Sequence, residues 1–291
     1  MRLATFARER RRRTGVVVGD EVVDLTDPLV GLPDDLATLV AAGPGALEAA
    51  RGAPSGRARR FALDEVELLA PVPRPPSFLA IARNYGAHAA ELGTEPPAEQ
   101  RWFSKQPTCV VGPGAPIWVP RVSVEVDYEG ELAMVIGTRC RHVPAARALE
   151  VVAGFTVVND VSVRDWQRRS PTMMLGKSFD THGPMGPWVV TPDEVGDPQA
   201  LSLTTWVNGE VRQHASTGGM IHGCAALIAH LSAAFTLVPG MVLSTGTPAG
   251  VAAAEDEPRW LRPGDTVAVG IDGIGVLENP VVDEPPGALA P

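Results

Sequence analysis

The apolar residues of this chain occur in short, valine-rich runs separated by frequent turn-forming residues, and this spacing constrains the fold most. The 291 residues include 28 Pro and 30 Gly, which interrupt regular elements and favour turns. The strand-like runs lie at residues 108–112, 117–120, 124–137, 154–163, 186–191, 201–211, 241–245 and 266–282. Beyond residue 77, only residues 84–93 and 218–237 indicate helices. We therefore expect a mainly β fold with a few helices, of the α+β class.

A proline-rich segment suggests how the chain divides. Residues 1–70 predict a small N-terminal domain of short strands with one helical stretch at 36–52. Residues 71–77 (PVPRPPS) predict a linker, because proline cannot donate a hydrogen bond to a strand ladder. Residues 78–281 predict a second, larger domain. Residues 282–291 predict a flexible tail.

Composition and charge argue against several classes of protein. The net charge of −9 disfavours a nucleic-acid surface, which needs a clustered basic face. The basic run Arg8–Arg13 lies between two strand-like segments, so it predicts a solvated hairpin tip; the apolar run of a secretory signal does not follow it. No stretch has the roughly 18 apolar residues of a membrane span. The three cysteines form no CxxC pair, so neither a disulfide framework nor a zinc site is indicated. We expect a cytoplasmic protein with no nucleic-acid or membrane partner.

An unusual row of acidic residues interrupts the apolar run at 124–137. Read as one strand, VDYEGELAMVIG at 126–137 places Asp127, Glu129 and Glu131 on the same face. Such a row either lines a water-exposed face or binds a cation. The apolar continuation LAMVIG and a further carboxylate, Asp160, at the end of the run GFTVVND favour the cation. Oxygen ligands suit Mg²⁺ or Mn²⁺, with Ca²⁺ a further candidate.

Three other segments carry groups with chemical potential. His88 and Glu91 in ARNYGAHAAELG are three residues apart, so on a helix they form either a surface pair or a general base with its carboxylate partner. Lys177 lies in the turn-rich segment GKSFDTHGPMGP, where a lone lysine is ordinarily a solvated surface residue. The segment STGTPAG at 244–250 is either a plain turn or a group of donors for an anion.

Six segments, taken in order, resemble the fumarylacetoacetate hydrolase family. They are ARNYGAHAAE, YEGELAMVIG, VVNDVSVRDWQ, GKSFDTHGPMGPWVVT, VNGEVRQ and STGTPAGV. The resemblance covers about residues 78–280. Each segment alone has little specificity, whereas six in the family's order are specific. The resemblance implies a mixed β-roll catalytic domain, a small N-terminal domain and a homodimer.

The resemblance also implies roles for individual residues. Glu129, Glu131 and Asp160 correspond to the metal ligands, and Asp127 matches no ligand of the family. His88 corresponds to the general base, with Glu91 as its partner, and Lys177 to the lysine that stabilises negative charge on a substrate oxygen. Arg164, Gln167 and Thr247 correspond to groups that contact the carboxylate and keto oxygens of the substrate.

The sequence departs from the family pattern at several positions. Ile81 stands where the founding hydrolase has a further metal carboxylate, so the implied site has three protein ligands. Residues 170–175 (SPTMML) lack an aromatic residue that many relatives have there, so we expect a different acyl pocket. Gly219 stands where Asp is common, and PGMVL at 239–243 replaces the more usual P-G-D, so we expect these two loops to differ in detail from those of relatives.

The function implied by the resemblance is a divalent-metal-dependent hydrolase. It would cleave a C–C bond in a small 2-oxo acid with a second carbonyl, similar to an acylpyruvate or fumarylacetoacetate, through metal chelation, water activated by His88 and Glu91, and a stabilised enolate. The same enolate serves an isomerase or tautomerase of a 2-hydroxymuconate-type dienoate and an oxaloacetate-type decarboxylase. A non-catalytic, metal-stabilised binding protein is an alternative of another class. The helix that carries His88 has Gly86 near its start and Gly93 at its end and could act as a lid.

Overall fold

The computed structural model describes residues 1–287, with 36% of the residues in strands and 23% in helices. The strands are β1 Arg2–Arg8, β2 Arg11–Val18, β3 Glu21–Asp24, β4 Arg60–Ala62, β5 Glu67–Leu69, β6 Phe78–Ala82, β7 Arg101–Lys105, β8 Val110–Val111, β9 Ile117–Val119, β10 Val126–Asp127, β11 Gly130–Ile136, β12 Val152–Asn159, β13 Ser162–Val163, β14 Gly183–Val190, β15 Ser202–Val207, β16 Glu210–Ser216, β17 Val242–Ser244, β18 Thr266–Ile271 and β19 Gly275–Asp283. The helices are α1 Leu36–Ala41, α2 Pro44–Gly52, α3 Gly86–Glu91, α4 Arg164–Gln167, α5 Pro192–Val195 and α6 Cys224–Ala234. Short 3₁₀ helices lie at Ala53–Ser55, Leu63–Glu65, Pro107–Cys109, Ala145–Val151, Met174–Lys177, Thr217–Gly219 and Ala252–Ala254.

Two sheets and one short ribbon contain all of these strands. The main sheet has twelve strands in the order β4-β3-β2-β1-β14-β12-β11-β17-β6-β7, with β5 beside β1 and β8 beside β14. A second sheet of five strands has the order β16-β15-β18-β19-β9, and β10 pairs with β13. Parallel pairs (β17 with β6, β14 with β8, β19 with β9) lie among antiparallel ones. The predicted mainly β, mixed fold with a few helices is confirmed.

The main sheet runs through both predicted domains. Strand β1 of the N-terminal segment pairs with β14, with Arg2 opposite Val190. The N-terminal strands therefore extend the sheet of the larger unit, and the boundary at 71–77 stays a prediction. At the other end, Val282 and Asp283 pair with β9, so the last strand extends two residues into the predicted tail. Residues 288–291 lie outside the described part of the chain.

The centre of the main sheet is buried on both faces. Every residue of β11 and β12 is buried, which explains their nearly continuous apolar sequence. Because side chains alternate along β11, Leu132, Met134 and Ile136 pack in one core that includes α6, whereas Ala133 and Val135 pack in a second core that includes α1. The acidic residues at the start of β11 therefore lie beside two packed layers.

The helix and strand predictions need three corrections. The predicted helix at 36–52 is broken, because Gly43 has a φ of 85° and Pro44 begins a new helix, α2. The predicted strand at 126–137 is interrupted at residues 128–129, where pairing changes from β10–β13 to β11–β12. The helix predicted at 218–237 forms only over Cys224–Ala234.

Two further features bear on the sequence predictions. The run Arg8–Arg13 lies on the hairpin formed by β1 and β2, with residues 9–10 at its turn. Within residues 1–287, no helix is long and apolar enough to cross a membrane.

Candidate active site

Three buried carboxylates come together where β11 begins and β12 ends. Gly130 pairs with Asn159 across these antiparallel strands, so Glu129, Glu131 and Asp160 lie beside one another. Each carboxylate offers an oxygen, and these oxygens all lie within 4.8 Å of one another. The Asn159 side chain accepts a hydrogen bond from the Glu129 N–H at 3.0 Å, and the Asp160 N–H donates to the Glu129 carbonyl at 2.8 Å. Strand pairing therefore assembles the predicted metal ligands.

Gly130, between the two glutamates, lies in close contact with the second sheet. A Cβ atom at this position would lie 2.3 Å from Thr205 Oγ1 and 2.9 Å from Val269 Cγ1. Its N–H also donates to Gln213 Oε1 at 3.0 Å. Any larger residue between the glutamates would displace these neighbouring side chains, which explains the glycine in the sequence E-G-E.

Glu131 is the carboxylate of the triad that lacks a cationic partner. It accepts hydrogen bonds from Ser244 Oγ and from the Gly246 N–H, the latter at 2.9 Å. Across the described residues 1–287, no Lys, Arg or His makes a salt bridge with it. Burial, together with the charges of Asp160 and Glu129, raises the pKa of Glu131 well above its ordinary value. A divalent cation would remove this penalty, and the all-oxygen ligand set suits Mg²⁺, Mn²⁺ or Ca²⁺, so the residues present fit such an ion.

Two buried lysines hold the other two carboxylates. Lys177 Nζ donates to Glu129 Oε2 and to Asp160 Oδ2, each at 2.7 Å. Lys105 Nζ donates to Asp160 Oδ1 at 2.6 Å and to the carbonyl of Lys177. Burial alone would lower the pKa of Lys177, but the charges of Asp160 and Glu129 outweigh it and raise this pKa. Lys177 is therefore a charged partner of Glu129 and Asp160, and Lys105 forms a buried salt bridge with Asp160.

Lys105 was not among the site residues predicted from the sequence. It is the last residue of β7 (RWFSK), a segment with no recognisable motif, and lies 55 residues before its partner Asp160. One signal was available: the chain has 25 Lys and Arg residues, and the only lysines among them are Lys105 and Lys177. A residue type used so rarely marks positions where arginine does not serve.

Asp127 turns away from the triad and binds Arg164. Arg164 Nε donates to Asp127 Oδ2 at 2.8 Å, and Arg164 Nη1 lies 2.6 Å from Glu129 Oε1. Arg164 Nη1 also donates to Gln167 Oε1 at 3.0 Å. Burial raises the pKa of Glu129, but Lys177 and Arg164 outweigh it and hold this pKa below its ordinary value. Asp127 thus positions Arg164 and stays outside the group of predicted ligands.

The predicted His–Glu pair forms on α3. His88 Nδ1 lies 2.7 Å from Glu91 Oε1, and Glu91 Oε2 accepts a hydrogen bond from the Gly250 N–H at 2.7 Å. Glu91 therefore orients the imidazole and ties the helix to the segment after β17. With Nδ1 bound in this way, Nε2 is the ring nitrogen that can exchange a proton.

One cavity of about 640 Å³ joins these groups. It is lined by seven of the nine predicted site residues, which are His88, Glu129, Glu131, Arg164, Gln167, Lys177 and Thr247. Thr247 Oγ1 donates to the Gly130 carbonyl at 2.9 Å and accepts from Gln213 Nε2 at 2.8 Å, so it is held against the E-G-E segment. The roles assigned to these residues stay predictions, but the structure brings them to one place.

The chain belongs to the fumarylacetoacetate hydrolase family. The family model described as fumarylacetoacetate (FAA) hydrolase C-terminal matches residues 77–282. The chain is also 40% identical, over 91% of its length and 85% of the relative, to the mitochondrial oxaloacetate tautomerase Fahd2a of Rattus norvegicus.

Solved structures of similar proteins include more than one kind of enzyme. Maleylpyruvate hydrolase from Sphingobium sp. SYK-6, in complex with manganese(II) and pyruvate, is 34% identical with a TM-score of 0.84, over 98% of this chain and 100% of that one. The 5-carboxymethyl-2-hydroxymuconate delta-isomerase from Mycobacterium smegmatis is 37% identical with a TM-score of 0.79, over the same shares. The family and its neighbours thus include hydrolases, isomerases and a tautomerase.

Proposed function

We propose that this protein is a divalent-metal-dependent hydrolase that cleaves a C–C bond in a small 2-oxo acid with a second carbonyl. The observation that carries the proposal is that His88, already bound to Glu91 through Nδ1, lines the same cavity as Glu129, Glu131 and Lys177. A base that can activate water therefore faces the place where charge on a substrate oxygen would be stabilised. The full set fits hydrolysis of an acylpyruvate-like compound.

Glu129, Glu131 and Asp160 are the residues that would hold the cation, which we propose to be Mg²⁺ or Mn²⁺. When bound, it would supply Lewis-acid polarisation of the substrate's 2-oxo acid oxygens. The manganese and pyruvate bound to the similar maleylpyruvate hydrolase support this choice. Arg164, Gln167 and Thr247 line the same cavity, where they would contact the carboxylate and keto oxygens.

The chemical steps follow from the placement of His88 and Lys177. His88 Nε2 takes a proton from water, and the water oxygen forms a bond to the carbonyl carbon remote from the 2-oxo acid. The C–C bond breaks and its electron pair passes to the 2-oxo acid fragment, which leaves as an enolate. Lys177 Nζ stabilises the negative charge on the enolate oxygen. The proton on His88 then passes to the enolate carbon, so a carboxylic acid and a 2-oxo acid are released.

A tautomerase or isomerase is the second candidate. Its support is the similarity to a rat oxaloacetate tautomerase over 91% of this chain. The same residues would suffice, because His88 would move a proton between carbon and solvent while Lys177 stabilised the enolate, and no water would attack. Decarboxylation of an oxaloacetate-like acid would release the same kind of enolate.

Product analysis distinguishes these reactions. Protein loaded with Mn²⁺ or Mg²⁺ is incubated with acylpyruvates, oxaloacetate and a hydroxymuconate-type dienol, and the products are followed by NMR. We expect hydrolysis of an acylpyruvate, lost with EDTA and reduced on the order of a hundredfold or more in His88→Ala. Catalysed tautomer exchange of oxaloacetate without any hydrolysis would replace the hydrolase proposal with the tautomerase. Full activity in EDTA would overturn the metal-dependent mechanism.

We also propose a homodimer in the cytoplasm, as the family resemblance and the composition imply. Light scattering on purified protein tests the first part, since one chain has a mass of 30.6 kDa. A measured mass of one chain at micromolar concentration would reject the dimer.

A further inference from the structure

Within the described residues 1–287, Arg83 is the Lys or Arg of the cavity lining that makes no contact with an anionic side chain. The Lys and Arg residues that line the cavity are Arg83, Arg164, Arg168 and Lys177. Arg164 and Lys177 are bound to the carboxylates described above, and Arg168 Nη2 donates to Glu125 Oε2 at 2.6 Å. For Arg83, residues 1–287 provide neither a salt bridge nor a side-chain hydrogen bond. Its charge is thus left for something that enters the cavity.

The backbone holds Arg83 in a conformation that arginine seldom adopts. Its φ is 57°, in the left-handed region that usually contains glycine or asparagine. The preceding residue, Ala82, ends β6, and Asn84 is fixed on the other side. Asn84 Nδ2 donates to the carbonyls of Thr245 and His222, at 2.8 and 2.9 Å, and its Oδ1 accepts from the His222 N–H at 2.9 Å. The backbone on either side of Arg83 is therefore held in place, by β6 before it and by the hydrogen bonds of Asn84 after it.

We propose that Arg83 binds a second carboxylate, at the end of the substrate remote from its 2-oxo acid group. This inference rests on the proposed function, in which the 2-oxo acid end meets the carboxylate triad and Arg164. A guanidinium matches a carboxylate with two parallel hydrogen bonds, which gives both attraction and orientation. A cavity of about 640 Å³ has room for a small dicarboxylate. The site would thus prefer 2-oxo dicarboxylates to 2-oxo acids with a neutral end.

Two non-cleaved ligands that differ in one carboxylate test the proposal by binding alone. Calorimetry on the Mn²⁺-loaded protein compares 2-oxobutanoate, with a neutral end, and 2-oxoglutarate, with a second carboxylate. We expect Arg83→Met to weaken 2-oxoglutarate about tenfold to a hundredfold and to leave 2-oxobutanoate unchanged. Arg83→Lys should recover part of this loss. Arg168→Met is the matched control, because Arg168 lines the same cavity but is already paired, and it should leave the ratio of the two affinities unchanged.

The outcomes separate this inference from the proposed function. Equal binding of both ligands by the parent protein, or equal weakening of both in Arg83→Met, would overturn the role of Arg83 while leaving a 2-oxo acid site in place. Binding of neither ligand would overturn both. Selective loss of 2-oxoglutarate in Arg83→Met, in a protein that hydrolyses no oxo acid tested, would support Arg83 and reject the hydrolase.

Discussion

At the scale of single residues, the site depends on the difference between lysine and arginine. The chain uses arginine almost everywhere, yet the two cations that contact Asp160 are lysines. An ammonium group is compact and directs three donors in different directions, whereas a guanidinium is a planar fork. Lys105 uses this geometry to reach both Asp160 and the carbonyl of Lys177. It thereby links the end of β7 to the segment that carries the predicted catalytic lysine.

Removing the charge of Lys105 should destabilise the metal-free protein strongly. In Lys105→Met, Asp160 loses the contact at 2.6 Å, and the carbonyl of Lys177 loses a donor within a buried region. Breaking one side of a buried ion pair typically costs about 3–5 kcal/mol. The free energy of unfolding, measured in urea, should fall by an amount in this range. Arg101→Met is the matched control, because Arg101 is exposed on the same strand, and it should change this free energy by less than about 0.5 kcal/mol.

Lys105→Arg separates charge from shape. It keeps the charge but replaces the compact donor, so we expect it to remain less stable than the parent protein. Equal stability of Lys105→Met and the parent protein would contradict the role given to this residue.

At the scale of structural elements, the site is a consequence of how β11 and β12 pair. Antiparallel pairing of Gly130 with Asn159 sets Asp160 beside the two glutamates, which flank Gly130 where β11 begins. The second sheet then packs against the same point through Thr205 and Val269. The position of the carboxylates therefore depends on a contact between sheets as well as on the strand itself.

Gly130→Ala should disturb this contact. The added Cβ would lie 2.3 Å from Thr205 Oγ1 and 2.9 Å from Val269 Cγ1, so these side chains or the strands that carry them must shift. Overpacking of this kind costs about 1–3 kcal/mol, and we also expect weaker Mn²⁺ binding by calorimetry because both flanking residues are predicted ligands. Gly45→Ala is the control: nothing lies within 4 Å of its added Cβ, and Gly45 is exposed within α2, so alanine should stabilise slightly. Unchanged stability and metal affinity in Gly130→Ala would show that the contact has no such role.

Local patterns in the sequence were sufficient to predict part of the site. Strand alternation predicted that Glu129 and Glu131 lie together, which they do although the strand is broken at residues 128–129, and helical spacing predicted the pair of His88 with Glu91. The break at residues 128–129 and the partnership of Asp127 with Arg164 depend on contacts between segments 37 residues apart, which no local period encodes. Lys105 was missed for the same reason, since a single lysine acquires its meaning only from a distant carboxylate. That Arg83 has no salt bridge within residues 1–287 can be seen only in the folded arrangement, because the sequence does not show which residues surround it.

At the scale of the whole molecule, the carboxylate triad lies where the main structural units meet. β11 and β12 are at the centre of the twelve-stranded sheet, the second sheet contacts Gly130, and Lys105 brings in the end of β7. A ligand that contacts all three carboxylates binds the folded protein and not the unfolded chain, because the carboxylates are separated by up to 31 residues in the sequence (Glu129 to Asp160). Binding of such a ligand should therefore raise the free energy of unfolding of the whole protein.

Divalent cations should raise the unfolding temperature of the protein, and this increase should require the carboxylate of Glu131. Mn²⁺ at about 100 times its dissociation constant adds about 2.7 kcal/mol to the free energy of unfolding, or about 5–10 °C for a chain of this size, and EDTA should reverse it. Burial and the adjacent carboxylates raise the pKa of Glu131, which favours its protonated form, and the neutral side chain of glutamine resembles that form. Without metal, Glu131→Gln should therefore unfold near the temperature of the parent protein. With Mn²⁺, its unfolding temperature should rise little. Glu150→Gln, at an exposed pair with Arg147, should keep the full gain. A gain of the same size in Glu131→Gln would place the cation elsewhere, since a carboxyl group can lose its proton to become an anionic ligand for Mn²⁺, whereas the amide of glutamine stays neutral.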